Sequence, residues 1–175
     1  LLDAWRAGDA QSAELRPAAA VGPALHQMRL VKDAAEQTLL RRAAELSAAG
    51  HVAAMKGTRP GQYEYALRAA LEASCTGGGA ARTAYPSIVG SGPNSVILHY
   101  ERDDRRMNAG EMIVNDSACE YGMYAADVTR SYPVSGKFSP EQRAIYDVVL
   151  DAQKAGFAKV RPGAAFHEVH DATVD

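Results

Sequence analysis

The segment 56-KGTRPGQYEYALRAALEA-73 returns, loosely, as 159-KVRPGAAFHEVHDATVD-175, and each copy follows a long helix-forming run. Lys, then Arg-Pro-Gly, then a new helix recurs at a separation of 102 residues. Two origins fit: a duplicated helix–turn–helix–sheet unit, or a common helix-to-helix turn met twice. Under duplication the first copy proceeds into a block of strands, while the second reaches Asp175 where its strands should begin. The expectation is then half of a two-unit domain.

The elements between the copies can be placed from local signals. Residues 33 to 56 are rich in Ala, Leu, Glu and Arg without an internal Pro, and Gly57 and Pro60 close the run, which predicts a helix. A second helix is predicted from Gln62 to Ala73, ended by 76-TGGG-79. Between Ala84 and Pro133 lie the β-prone segments 85-YPSIVGSG-92, 96-VILHY-100, 111-EMIVNDSA-118 and 123-MYAADVTRSY-132, separated by turn residues. Ser139, Pro140 and Gln142 supply an N-cap, an N1 proline and an N3 partner for a helix from Pro140 to about Lys159. The expected class is α+β, an antiparallel sheet flanked by helices. The Ala/Pro-rich stretch ELRPAAAVGP marks residues 1–22 as the tail of a preceding domain and a linker, with the main domain over 23–175.

Composition removes several function classes. Nineteen Lys and Arg against twenty-one Asp and Glu, without a basic block, disfavour nucleic acid. No apolar run approaches the roughly 20 residues that cross a bilayer, and LLDAWRAGDAQ lacks a charged n-region followed by an apolar one, so no membrane partner and a cytoplasmic location are expected. Cys75 and Cys119 stand 44 residues apart without a CxxC motif and are expected to be separate buried thiols. Neither 76-TGGG-79 nor 90-GSG-92 is followed by the residues of a phosphate loop.

The stretch 115-NDSACEYGMYAADVTR-130 places Asp116 and Asp127 in an otherwise apolar, β-prone run. With a two-residue hairpin loop at Tyr121-Gly122, Asp116 would face Asp127, Ala118 would face Ala125 and Val114 would face Thr129. Like charges across a ladder repel, and Arg130 falls on the opposite face, so a divalent cation between the carboxylates would resolve the conflict. The plain alternative is two solvated aspartates, one at a turn and one at a strand edge.

Taken together, 28-MRLVKDAAE-36, 86-PSIVGSGPNSVILHY-100, 116-DSACEYGMYAADVTRSYPVSGKFSPEQRAIYDVVL-150 and 161-RPG-163 closely resemble the Xaa-Pro aminopeptidases (aminopeptidase P) of the creatinase/methionine-aminopeptidase, or pita-bread, family. The likeness runs from about Pro23 to the end of the chain. It implies the first half of a pita-bread fold and a hydrolase with two divalent ions, most often manganese, with zinc or cobalt conceivable. It implies a peptide substrate with proline at the second position, and a homo-oligomer for the intact protein. Of five family ligands in the order Asp, Asp, His, Glu, Glu, Asp116 matches the first and Asp127 the second, which bridges both ions. His99 matches the family histidine that lines the substrate pocket and donates a hydrogen bond to the bound peptide.

His26, His51, His167 and His170 match no catalytic position, and the i, i+3 pair His167/His170 reads as surface. The family usually carries Gly where this chain has Ala118 and an apolar residue where it has Asn115, which puts local packing there in question. Its other three ligands find no match, and its N-terminal domain is represented at most by a last helix within residues 1–10. The 175-residue polypeptide alone is therefore expected to bind metal weakly and to hydrolyse Xaa-Pro peptides negligibly. The alternatives are a prolidase, which shares the fold and ligands but takes dipeptides, and a non-catalytic pita-bread binding module.

Overall fold

A computed structural model describes residues 17–174. Five helices, α1 (Pro17–Leu30), α2 (Ala34–Gly57), α3 (Glu64–Gly77), α4 (Pro140–Lys159) and α5 (Phe166–Val174), surround six short strands. These are β1 (Arg82–Thr83), β2 (Ile88–Ser91), β3 (Met112–Asp116), β4 (Cys119–Tyr121), β5 (Tyr124–Ala125) and β6 (Thr129–Pro133). The strands form two antiparallel sheets, ordered β1-β4-β5 and β2-β3-β6. The α+β class read from the sequence is the one observed.

Helix starts follow their local chemistry. Asp33 accepts from the Glu36 amide at 2.8 Å while Glu36 accepts from the Asp33 amide at 2.7 Å, a reciprocal box that opens α2. Ser139 and Gln142 repeat it at α4, at 3.2 and 2.9 Å. Both Arg-Pro-Gly segments turn one helix into the next, and their glycines adopt the same left-handed conformation, Gly61 at φ 89° and Gly163 at φ 85°. The two copies of the repeat thus share a conformation as well as a spelling. Helix α1 runs through the expected boundary at Pro23, and the stretch expected as linker is helical from Pro17; the helix expected within residues 1–10 lies outside the described residues.

Two apolar clusters hold the helices to the sheets. Leu46, Ala54, Leu71, Cys75, Ala80 and Cys119 form one under the β1-β4-β5 sheet. Leu67, Val89, Met107, Ile113 and Val134 form the other under β2-β3-β6. Each fully buried leucine contributes about 1.5–3 kcal/mol. Gly50 lets α2 and α3 pack closely, since a Cβ there would stand 3.0 Å from Leu71 Cγ.

Three expectations are corrected. Residues 96–100 are no strand: Gly92–Val96 form a 3-10 turn, and Val96 and Leu98 are 86 % exposed, so this β-branched run lacks a partner to pack against. The hairpin loop is Gly122-Met123, both at positive φ (57° and 70°), as a type I′ turn requires, so Asp116 pairs with Thr129 and not with Asp127.

The cysteines are buried as expected, but they are joined. Their Cα atoms lie 5.6 Å apart because the end of α3 packs beside the start of β4. A bridge of this span stabilises by about 2–4 kcal/mol, chiefly by restricting the unfolded chain. Reduction is therefore expected to lower the melting temperature by about 5–15 °C in a thermal scan. A Cys75→Ser variant should match the reduced protein; an unchanged midpoint would mean that the thiols are not bridged.

Candidate metal centre

Strand β3 alternates between core and open face: Ile113 and Asn115 are buried, whereas Met112, Val114 and Asp116 point the other way. Asp116 thus ends the strand on its open side, half-buried. Asp127 is exposed and occupies the irregular step between β5 and β6, where the long hairpin passes from one sheet to the other. Both ladders share one register, so Asp127 is displaced two residues along the strand from the position opposite Asp116. A two-residue shift preserves the face, and a diagonal pair stays within side-chain reach.

The Tyr85 hydroxyl joins them, lying 2.6 Å from Asp116 Oδ1 and 3.2 Å from Asp127 Oδ1. Burial, then the bond to Asp116, pushes the Tyr85 phenol far above the ordinary tyrosine range, so it stays protonated and donates. One proton cannot offset two negative charges. Among the described residues neither aspartate is in an ion pair. Two hard-oxygen carboxylates on one face without a cationic partner fit a manganese- or magnesium-like ion, and also tolerate zinc or cobalt. No group of three or more metal-ligating side chains occurs among the described residues. Buried Ala118 lies two residues beyond Asp116, opposite Asp127 in the shared register.

His99 stands apart from this pair. It occupies an exposed turn at φ 53°, and among the described residues no hydrogen bond joins it to either aspartate. The loop that carries it is tied down by Glu64, which is fully buried at the first turn of α3. Glu64 Oε1 accepts from the Ser91 amide and hydroxyl, each at 2.7 Å, and from Asn94 at 3.3 Å. Its Oε2 accepts from the Tyr100 hydroxyl at 2.8 Å and the Arg105 amide at 3.2 Å. Arg105 in turn grips both oxygens of Glu111 and holds that carboxyl down at about 2.

Sequence reasoning missed Tyr85, Glu64 and His51. Tyr85 is visible only as a strand aromatic, and the partners of Glu64 lie 27 to 41 residues away. His51, without a catalytic match, is buried beneath the site, and burial lowers its pKa below the usual histidine value. His167 and His170 are exposed on α5, as expected. The open faces of β3 and β6 continue from Asp116 and Thr129 into a groove of about 890 Å³ walled by Ile145 and Val149 of α4.

The chain is similar to several known proteins. The Xaa-Pro aminopeptidase of Escherichia coli K12 is 43 % identical over 147 residues, which cover 84 % of this chain and 33 % of that protein. That of Haemophilus influenzae is 40 % identical over 152 residues, or 87 % and 35 % of the two chains. The solved aminopeptidase PepP of Pseudomonas aeruginosa superposes with a TM-score of 0.83 at 48 % identity, over 84 % of this chain and 33 % of that one. The chain spans about a third of the length of these relatives. Residues 38–175 match the sequence profile described as metallopeptidase family M24, and with the pita-bread architecture shared with aminopeptidase P, the chain belongs to that family.

Proposed function

We propose that the protein containing this chain is a metal-dependent exopeptidase that releases the N-terminal residue from peptides with proline in second place. The observation that carries the reading is the convergence of Asp116 and Asp127 on one hydroxyl, with no cation paired to either among the described residues. In this reading Asp116 and Asp127 would hold divalent ions, most often manganese. Such a centre supplies a water acidic enough to be hydroxide near neutral pH and polarises the scissile carbonyl. The chain's own residues hold and orient: Tyr85 keeps the carboxylates together, and His99 donates a hydrogen bond to the bound peptide from a loop anchored on Glu64.

The proposed assembly is a homo-oligomer and the domain boundary stays near Pro23. No helix among the described residues is long and apolar enough to cross a membrane. The proposed compartment is the cytoplasm, and the Cys75–Cys119 bridge, of a kind uncommon where thiols are kept reduced, weighs against it. The full-length protein supplied with Mn²⁺ is expected to cleave a tripeptide with proline second and to leave the same peptide with alanine second intact. Cleavage confined to the Xaa-Pro dipeptide would identify a prolidase instead, and no cleavage of either would return the fold to a binding role.

A further inference from the structure

Just past the β3–β6 ladder the hairpin is open at one step, and the two aspartates flank that step. Ser117 and Val128 face each other there, and the Ser117 amide donates to the Val128 carbonyl at 3.2 Å. In a regular antiparallel pair the reciprocal bond, from the Val128 amide to the Ser117 carbonyl, would close the ring. Here the Val128 amide points at the Tyr85 hydroxyl, 3.4 Å away. The Ser117 carbonyl is instead taken by His51 Nε2 at 2.9 Å, and the same nitrogen lies 3.0 Å from the Val128 carbonyl. Carbonyls only accept, so Nε2 carries the proton and shares it between the two strands. Nδ1 is buried without a partner among the described residues, so no second bond turns the ring elsewhere.

His51 reaches this step from the middle of α2, where it is 3 % exposed. One turn earlier on the same face, Ser47 Oγ accepts from the Cys119 amide at 2.8 Å and donates to the Ala43 carbonyl at 2.7 Å. Two side chains of one helix thus satisfy backbone groups that the hairpin releases as it leaves one sheet for the other. A buried core histidine would need one partner from any neighbour. This one contacts the residue directly after Asp116 and the residue directly after Asp127, 66 and 77 positions distant in the chain.

We propose that His51 is a positioning residue of the metal centre: through one shared proton it holds the ladder parted at Ser117 and Val128, and so sets the spacing of Asp116 and Asp127. The inference rests on the metal reading of those aspartates. A donor that orients a ligand from behind is typically worth about 10–100-fold in metal affinity.

The test is Mn²⁺ binding to the full-length protein, with free Mn²⁺ counted by its electron paramagnetic resonance signal and folding followed by thermal melting. His51→Phe keeps the bulk and removes the donor; it should bind at least tenfold more weakly. His51→Gln restores an amide donor at similar reach and should bind within threefold of wild type. Equal affinity of His51→Phe and wild type would overturn the proposal, as would a folded His51→Gln that binds no better than His51→Phe. If His51→Phe does not fold, His51→Asn replaces it, one methylene shorter than Gln and unable to span both carbonyls. Wild type that binds Mn²⁺ no better than the Asp116→Asn/Asp127→Asn double variant would remove the metal reading, and the positioning role with it.

Discussion

Asp127→Asn in the full-length protein should lose more than about 100-fold in divalent-metal affinity and in kcat/KM, while the metal-free protein melts no lower than wild type. Altering an outer partner of a ligand already costs about 10–100-fold, so neutralising Asp127, a direct ligand in the proposed centre, costs more. The two halves of the prediction pull in opposite directions, which makes it discriminating. Without metal, Asp116 and Asp127 are like charges within reach of one hydroxyl, and Tyr85 has a single proton to share. Removing one charge relieves repulsion worth up to about 1 kcal/mol in this partly exposed setting. A carboxylate kept only as an acceptor for Tyr85 would give the reverse, with lower stability and unchanged metal binding. Isothermal titration with Mn²⁺ and a thermal scan of the metal-stripped protein decide between them. Asp116→Asn should behave alike, with a smaller relief of repulsion because Tyr85 makes its shorter bond there.

What was legible in the sequence was local. The capping pairs Asp33/Glu36 and Ser139/Gln142 and the turn glycines Gly61 and Gly163 act within a few residues of themselves, so spelling and structure agree. The shared face of the two aspartates was also legible, because face depends only on parity. Their register was not, and the direct opposition expected of them does not occur, since the turn puts Met123 at φ 70°, a conformation its residue type does not announce. Long-range packing hid the rest. The Cys75–Cys119 bridge depends on α3 meeting β4, and the His99 loop curls away from a strand because Glu64 holds its two ends. In the sequence His51 is one of several unassigned histidines, since its partners are backbone carbonyls that carry no sequence signature.

Glu64→Ala should destabilise the fold by at least about 4 kcal/mol. A wholly buried carboxylate is tolerated only when its lone pairs are met, and Glu64 receives donors from Ser91, Asn94, Tyr100 and Arg105. Hydrogen bonds to a charged group contribute about 1.5–3 kcal/mol each, and a buried donor left without a partner costs about 1–3 kcal/mol. Alanine removes the acceptor, strands the fully buried Ser91 amide, and leaves the buried Tyr100 hydroxyl only a longer contact of 3.4 Å to Asp104 Oδ1. Glu64→Gln keeps the shape and one acceptor oxygen, but it turns an NH₂ toward donors that need an acceptor, so it should recover less than half of the loss. Urea unfolding of the three proteins would measure both steps. The functional consequence is separable from stability: under conditions where Glu64→Gln is still folded, the loop from Gly92 to Arg105 should exchange its amide hydrogens faster than in wild type. If His99 serves the peptide from that loop, KM should rise while Mn²⁺ affinity at Asp116 and Asp127 holds. Equal loss of metal and substrate binding would instead show that Glu64 supports the whole domain and not the His99 loop in particular.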